Sequence, residues 1–227
     1  MNYDLISFDL DGTLVDTAGE IAEAANQAIE AHGIGRRPVE QIVMLVGAGT
    51  RELMRRLLEQ CFAEQPGLSH SVRPDAVMAS FNHHYAAISG SVAQPYGGCR
   101  ETLARLRAAG LRLACVTNKE FGHAGAVLRA TGLEACFDLV IGGDSLPEKK
   151  PHASVLQHAA ATLGTTTART AHVGDSAIDV QAARNAGVAA WAVPYGYNAG
   201  IPVQDANPER IFETLPQMAD YVLAGLP

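Results

Sequence analysis

Lysine is scarce in this sequence, and net positive charge is absent. Only three of the 227 residues are lysines, Lys119, Lys149 and Lys150, and the formal net charge at pH 7 is −7. Nucleic acids and anionic membranes bind to basic surfaces, so this charge balance argues against both as partners. An anionic substrate would need a locally positive site. Chance, in a composition that favours arginine over lysine, is enough to explain why Lys119 and Lys149 lie in the same part of the sequence. Lys150 is different, because it stands in a motif with Pro151.

Cysteine and histidine pairs at the spacing of metal ligands, and long apolar runs, are also missing. The four cysteines are widely separated without C-x-x-C spacing, and the eight histidines show neither H-x-H nor H-E-x-x-H spacing. The spacing therefore favours neither a disulfide framework nor a histidine metal site. No stretch approaches the roughly 20 apolar residues that span a bilayer, and the chain begins with a strand pattern and no basic region. We expect a reduced, cytoplasmic protein.

Short apolar segments rich in strand-forming residues alternate with helical patterns. This alternation predicts an α/β protein, with a Rossmann-like parallel sheet and helices on both of its faces. Thr17-x-x-Glu20 is typical of a capping box before a helix over 21–31, and Gly33 is a suitable C-terminal stop. The predicted strands cover 5–10, 111–116, 139–141, 171–173 and 188–193, and two further helices cover 101–109 and 178–186.

The first connection is far too long for a simple crossover. Roughly 100 residues separate the first two predicted strands, where a βαβ unit needs about a dozen. The intervening segment shows no convincing strand, and its amphipathic helical patterns cover 18–32, 50–63 and 74–88. We therefore predict a core domain over 1–15 and 95–227 with an inserted α-helical cap domain over 16–94, hinged near 14–17 and 91–98.

Polar residues follow four of the five predicted strands. Ligands of open α/β sheets bind beyond the carboxyl ends of the strands, so these groups should converge on one edge. The four segments are Asp9-Leu10-Asp11-Gly12-Thr13, Thr117-Asn118-Lys119, Gly142-Gly143-Asp144 leading to Lys149-Lys150-Pro151, and Gly174-Asp175-Ser176 followed by Asp179.

The carboxylates in these segments indicate a metal and a reaction class. Asp9, Asp11, Asp175 and Asp179 would repel one another unless a cation lay among them, and oxygen ligands favour Mg²⁺ over zinc. A carboxylate nucleophile, a metal, a lysine and a second carboxylate for the leaving group's proton together suit phosphoryl transfer. Gly12 would allow a tight turn close to the phosphoryl group. Neutral donors to the phosphoryl oxygens are available from Thr117 and Asn118.

In its order of motifs the chain resembles the haloacid dehalogenase-like superfamily, and the match spans the whole sequence. The resemblance implies an aspartyl-phosphate mechanism, in which Asp9 attacks phosphorus while Asp11 protonates the leaving alkoxide and then activates water. True dehalogenases of the superfamily lack the second aspartate, so Asp11 favours a phosphatase. The motifs that carry the resemblance are Asp9-x-Asp11-Gly12-Thr13, Thr117-Asn118, Lys150-Pro151 and Gly174-Asp175-x-x-x-Asp179.

The resemblance also implies how the phosphate and the metal are held. Thr117 and Lys150 would bind the phosphate, with Asn118 beside them, and Gly12 and Thr13 would support the first motif. The implied Mg²⁺ ligands are the Asp9 side chain, the backbone carbonyl of Asp11 and the Asp175 side chain, with Asp179 in a supporting role.

Several local stretches are similar to the bacterial phosphoglycolate phosphatase subfamily, which implies a type-one helical cap and 2-phosphoglycolate as substrate. Ala153 departs from that subfamily, which usually has proline there; the change removes a rigid turn but no catalytic group. In the cap, Gly49, Thr50 and Arg51 form the entry to a predicted helix, and Arg51 is a candidate for recognising the substrate's carboxylate. The alternative is that Arg51, Arg55 and Arg56 form a solvated helix face. The similar stretches are 9–17, 46–49, 142–147 with 149–152, and 195–198.

Other functions are compatible with the same residues. The chemistry also suits another small-molecule phosphatase or a sugar-phosphate mutase. A phospho-aspartate signalling module uses an aspartate and Mg²⁺ on a parallel sheet, but such modules are smaller and lack an insert of roughly 80 residues. A binding-only protein is a further alternative, although every expected catalytic group is present. We expect a small phosphorylated metabolite as partner, no nucleic acid or membrane, and a monomer or homodimer.

Overall fold

The computed structural model describes residues 3–225 and contains a six-stranded sheet in which all neighbouring strands are parallel. The order across the sheet is β5-β4-β1-β6-β7-β8, and β2 and β3 form a separate antiparallel ribbon. The strands are β1 (Leu5–Phe8), β2 (Val15–Asp16), β3 (Gln94–Pro95), β4 (Arg112–Val116), β5 (Leu139–Ile141), β6 (Thr170–Gly174), β7 (Ala189–Ala192) and β8 (Arg210–Ile211).

Ten α-helices accompany the strands in the part of the chain that the structure describes. They are α1 (Ala18–Glu30), α2 (Val39–Val43), α3 (Thr50–Glu64), α4 (Leu68–Ser71), α5 (Pro74–Ile88), α6 (Cys99–Ala108), α7 (Phe121–Ala130), α8 (Ala153–Thr162), α9 (Ala177–Ala186) and α10 (Leu215–Ala224). Buried residues of α6, α7 and α10 share one hydrophobic cluster with the sheet, and those of α8 and α9 share another. The predicted α/β fold and the five predicted strands are confirmed, with strand bounds that shift by one or two residues.

β1 lies inside the sheet, between β4 and β6, and its whole sequence, Leu-Ile-Ser-Phe, is buried. A strand that is covered on both faces and paired on both edges reads as a continuous apolar run. Phe8 is in register with Cys115 of β4 and with Val173 of β6. The three strands therefore end at the same level, which places the residues that follow them side by side.

Helices α1 to α5 lie between the two strands of the ribbon and have a hydrophobic cluster of their own. This cluster runs from Ile21 to Tyr85 and includes buried residues of α1, α2, α3 and α5. Val15 pairs with Pro95 and Asp16 with Gln94, so the two chain crossings lie next to each other. These features support the proposed division into a core and an inserted helical segment; residues 1, 2, 226 and 227 of the predicted core lie outside the described residues.

The predicted capping box at the start of α1 is wrong. The helix begins directly after Thr17, but that side chain makes no capping hydrogen bond and donates to Asp11 Oδ1 at 2.6 Å. Glu20 instead accepts from the Gly90 amide at 2.8 Å and from the Tyr85 hydroxyl at 3.2 Å. Both side chains have tertiary partners that replace the local cap.

Two other expectations were incomplete. β8 was not predicted, because a two-residue strand is too short to show any periodicity. The β2–β3 ribbon at the limits of the helical segment was missed for the same reason. Over residues 3–225, no helix is both long and apolar enough to cross a membrane, and all four cysteines are free.

Candidate active site

A small cavity of about 30 Å³ lies at the carboxyl ends of β1 and β4. The core contributes Asp9 and Asp11 from the segment after β1, and Thr117, Asn118 and Lys119 from the segment after β4. The helical segment closes the other side of the cavity with Ile21, Val46, Gly47, Gly49, Thr50 and Leu53. The predicted convergence of the strand-end residues is therefore seen for the first two motifs at this cavity.

Lys150 connects the first motif to the last. Its buried ammonium group donates to Asp9 Oδ1 at 2.8 Å and to Asp179 Oδ1 at 2.6 Å. Burial opposes the charge of Lys150, but Asp179 and Asp9 together raise the pKa of this lysine above its usual value. Burial would raise the Asp179 pKa, yet Lys150 and His172 hold that pKa below its ordinary range. The Lys150–Asp179 pair is thus charged, as a buried pair with several hydrogen bonds can be.

Asp179 both caps a helix and contacts Lys150. Its Oδ2 accepts from the amide and the hydroxyl of Ser176, which completes a capping box at the start of α9. Its Oδ1 binds Lys150 and also faces His172 Nε2 at 3.3 Å. The His172 Nδ1 in turn lies 2.9 Å from the Ser7 hydroxyl. This buried series of contacts from Ser7 through His172 orients Asp179 toward Lys150. It was not identified from the sequence.

Asp175 is held in a tight cradle that Gly12, Thr13, Gly196 and Tyr197 form. Its Oδ1 accepts from the Thr13 hydroxyl at 3.1 Å, and its Oδ2 accepts from the Tyr197 amide at 2.7 Å. Gly12 and Gly196 pack against it: a Cβ on either residue would lie within 2.4 Å of Asp175 Oδ2. Burial raises the Asp175 pKa well above its ordinary value, and Asp179 and Asp9 add to the rise. Gly12 therefore has a packing reason in addition to its positive φ of 84°.

Replacement of Gly12 tests this cradle. Gly12→Ala should destabilise the protein by about 1–3 kcal/mol, because alanine is strained at positive φ and its methyl group displaces Asp175. Thermal unfolding of the variant measures the effect. Gly19→Ala is the matched control, since nothing lies within 4 Å of the Cβ position of Gly19. That helical substitution should be neutral or stabilising, and equal losses in the two variants would contradict the cradle.

Asp11 has a different set of partners from Asp9. Lys119 Nζ lies 2.8 Å from Asp11 Oδ1 and 3.0 Å from Oδ2, and the Thr17 hydroxyl also donates to Oδ1. The Lys119 ammonium group stands 4.7 Å from the centre of the Tyr85 ring, which α5 supplies. The structure therefore brings Lys119 into the site, whereas its composition-based interpretation had left it outside. The clustering of the three lysines was the available signal.

The donor chemistry of the site fits a hard divalent cation. One carboxylate oxygen each of Asp9, Asp175 and Asp179 lie within 4.8 Å of one another. Burial raises the pKa of Asp9 as well as that of Asp175, which records the cost of placing several carboxylates together in a dry site. Buried oxygen ligands of this kind suit Mg²⁺, which would relieve the repulsion.

Thr117 and Asn118 are buried at the end of β4. Thr117 Oγ1 accepts from the Lys119 amide at 3.2 Å, so its hydroxyl proton is available to another acceptor. The Asn118 side-chain amide donates to the Lys150 carbonyl at 3.0 Å and to the Gly47 carbonyl at 3.3 Å. Asn118 thus positions the Lys150 segment and contacts the helical segment, and its predicted binding of phosphate stays a prediction.

The three cap residues named from the sequence, Gly49, Thr50 and Arg51, lie at the start of α3. Gly49 lies so close to the core that a Cβ there would be 2.9 Å from the Asn118 carbonyl oxygen. Thr50 also contacts the core, because its hydroxyl donates to Glu120 Oε1. Arg51 is exposed and lines a neighbouring groove with Glu148 and Lys149, outside the central cavity. Its role in recognising a carboxylate stays a prediction.

A carboxylate-rich site at the carboxyl edge of a parallel sheet, with a helical segment over it, defines a class of phosphoryl-transfer enzymes. The chain belongs to the haloacid dehalogenase-like hydrolases, whose family model matches residues 6–193.

Curated relatives are named phosphoglycolate phosphatase. That of Nitrosospira multiformis is 39% identical over 210 residues, which cover 92% of this chain and 91% of the relative. That of Vibrio vulnificus is 38% identical over 221 residues, which cover 97% and 96%. A solved structure described as a predicted phosphoglycolate phosphatase of Haemophilus somnus is 29% identical, with a TM-score of 0.91 and coverage of 97% and 98%. This chain is likewise a phosphatase of the family.

Proposed function

We propose that this phosphatase hydrolyses small phosphomonoesters through a phosphorylated Asp9, and that its substrate is 2-phosphoglycolate. The position of Asp9 carries the proposal. Lys150 holds its Oδ1 at 2.8 Å, and the same carboxyl group lines the cavity under the helical segment. A carboxylate fixed in this way is a suitable nucleophile, because its orientation requires no rearrangement when a phosphoryl group arrives.

The reaction then proceeds in two displacements. An oxygen of Asp9 forms a bond to phosphorus while the bond between phosphorus and the ester oxygen breaks, and Asp11 gives a proton to the leaving alkoxide. In the second step, Asp11 accepts a proton from water as that water attacks phosphorus. Inorganic phosphate leaves, and the Asp9 carboxylate is restored. The two carboxylates thus act as nucleophile and as acid–base catalyst.

The phosphoryl oxygens are bound by groups that the strands hold in place. The free hydroxyl proton of Thr117 is available to one oxygen, and the Lys150 ammonium supplies positive charge. Asp9, Asp175 and the backbone carbonyl of Asp11 would hold Mg²⁺, and Asp179 would support the site through Lys150. The metal, when bound, supplies charge that neutralises the phosphoryl oxygens.

The helical segment, residues 16–94, acts in this proposal as a cap domain that excludes bulk water. The loop between α2 and α3 contacts the core through two hydrogen bonds, in which Asn118 donates to the Gly47 carbonyl and Lys149 donates to the Ala48 carbonyl. A cavity of about 30 Å³ has room for one or two water molecules, so a small substrate needs the least opening of the cap. The names of the curated relatives favour the same two-carbon substrate. We place the enzyme in the cytoplasm as a monomer or homodimer.

A panel of phosphomonoesters with Mg²⁺ tests the substrate. We expect kcat/KM for 2-phosphoglycolate to exceed that for glucose 6-phosphate and β-glucose 1-phosphate by at least about tenfold, because a sugar ring requires a wider opening of the cap than a two-carbon acid. Faster hydrolysis of a sugar phosphate would contradict the proposed substrate. Conversion of β-glucose 1-phosphate to glucose 6-phosphate without phosphate release would identify a mutase.

A further inference from the structure

We propose that Lys119 binds the carboxylate of the substrate and so determines its preference for phosphorylated small acids. The inference deepens the proposed function and rests on it. Lys119 lines the same cavity as Asp9, and its side chain is fully buried in an ion pair with Asp11. Lys119 is the cationic side chain among the residues that line this cavity, whereas Lys150 acts there through its contact with Asp9.

The two buried ammonium groups are engaged differently. Among residues 3–225, Lys119 and Lys150 are the lysines that are buried. Lys150 lies between Asp9 and Asp179, where its charge is shared by two carboxylates. Within that described range, Lys119 forms its one ion pair with Asp11, whose oxygens take two of its donors. An ammonium group has three donors, so a second carboxylate can bind Lys119 beside Asp11 or in its place.

The helical segment also fixes the position of Lys119, through the Tyr85 ring of α5. The Tyr85 ring lies 4.7 Å from the ammonium nitrogen, at a distance typical of a cation–π contact. Glu20 accepts from the Tyr85 hydroxyl and from the Gly90 amide, which holds that ring in place. A lysine that is held on two sides loses little conformational freedom when it binds a ligand.

The remaining surface of the cavity suits the rest of a two-carbon acid. Ile21, Val46 and Leu53 add apolar side chains to the lining that Lys119 shares. A methylene group can pack there while the phosphoryl group lies against Asp9. Such a dry, apolar surrounding strengthens the attraction between an ammonium group and a carboxylate. Arg51, by contrast, is exposed in a neighbouring groove.

A pair of substrates that differ in the carboxylate tests Lys119. 2-Phosphoglycolate and ethyl phosphate have the same phosphoryl group on two carbons, and only the first has a carboxylate. Lys119→Met keeps the length of the side chain and removes its charge. We expect the ratio of kcat/KM for the two substrates to fall by about 30-fold or more, the effect of losing one partner of a buried charge pair. The difference in leaving groups cancels when the ratio is compared between variants.

The matched control is Arg105→Met, which removes a partly exposed cation of α6 that pairs with Asp220 at 2.6 Å and lies outside the cavity. Its substrate ratio should equal that of the unmodified enzyme. Arg51→Ala belongs in the same series: a fall in the ratio there, with none in Lys119→Met, would assign the carboxylate to Arg51 and overturn the inference. If Lys119→Met does not fold, Lys119→Gln replaces it as the test.

The outcomes separate this inference from the proposed function. An unmodified enzyme that hydrolyses ethyl phosphate as efficiently as 2-phosphoglycolate would contradict the substrate proposed above. An enzyme that prefers 2-phosphoglycolate, and keeps that preference in Lys119→Met, would contradict the role of Lys119 alone. A uniform loss for both substrates would likewise show that Lys119 acts only through Asp11.

Discussion

An Asp9→Asn enzyme should lose its activity almost completely, with kcat reduced by about 10⁴-fold or more. The amide is close in size to the carboxylate and can still accept a hydrogen bond from Lys150, which lies 2.8 Å from Asp9 Oδ1. It is nevertheless a very poor nucleophile toward phosphorus. Removal of the nucleophile of a covalent enzyme costs on the order of 10⁴ to 10⁶ in kcat. Steady-state release of phosphate from 2-phosphoglycolate measures the effect.

The control for Asp9→Asn is a substitution of similar size outside the site. Asp138→Asn changes a partly exposed aspartate that pairs with Arg107 at 3.1 Å and directly precedes β5, at the edge of the parallel sheet opposite the site. It should keep nearly full activity. Both variants must show the thermal unfolding of a folded protein. An Asp9→Asn enzyme with more than about a tenth of the normal kcat would rule out Asp9 as the nucleophile.

Removal of divalent cations should abolish activity and lower thermal stability together. EDTA is expected to reduce phosphate release to background, and an excess of Mg²⁺ should restore it. The buried carboxyl groups of Asp9, Asp175 and Asp179 repel one another without a cation. Mg²⁺ at 100 times its dissociation constant should therefore stabilise the folded protein by about 2.7 kcal/mol. For a chain of this size, that gain corresponds to a rise in Tm of roughly 5–10 °C.

The stability measurement separates metal binding from catalysis. Asp175→Asn removes one of the proposed ligands, so its Tm should respond much less to Mg²⁺ than that of the unmodified protein. Asp138→Asn again serves as the control and should keep the full response. Activity that survives exhaustive chelation, together with a Tm that Mg²⁺ does not change, would contradict a metal at this site.

Much of the site could be predicted because it depends on strand ends. Asp9 and Thr117 directly follow β1 and β4, and Asp175 directly follows β6; these strands are in register at their carboxyl ends. A motif that follows a buried strand needs only the parallel order of the sheet to meet the others. The sequence thus contains enough information to bring these side chains to one edge.

The parts that were missed depend on packing between distant segments. Lys119 gains its place from Asp11 and from the Tyr85 ring of α5, which no local pattern connects. Glu20 was assigned to a local cap, but its carboxylate binds Gly90 and Tyr85 across the helical segment. In each case a tertiary partner competes with the local interaction that the sequence favours.

A rapid-quench experiment tests the phosphorylated Asp9 most directly. The enzyme is mixed with Mg²⁺ and 2-phosphoglycolate labelled in its phosphoryl group, quenched in acid during the first turnover, and treated with borohydride, which reduces an acyl phosphate to an alcohol. We expect label on the protein that appears before free phosphate, and homoserine at position 9 in the mass spectrum of the digested chain. Conversion at Asp11, Asp175 or Asp179, or phosphate release in the first turnover with no label on the protein, would contradict Asp9 as the nucleophile.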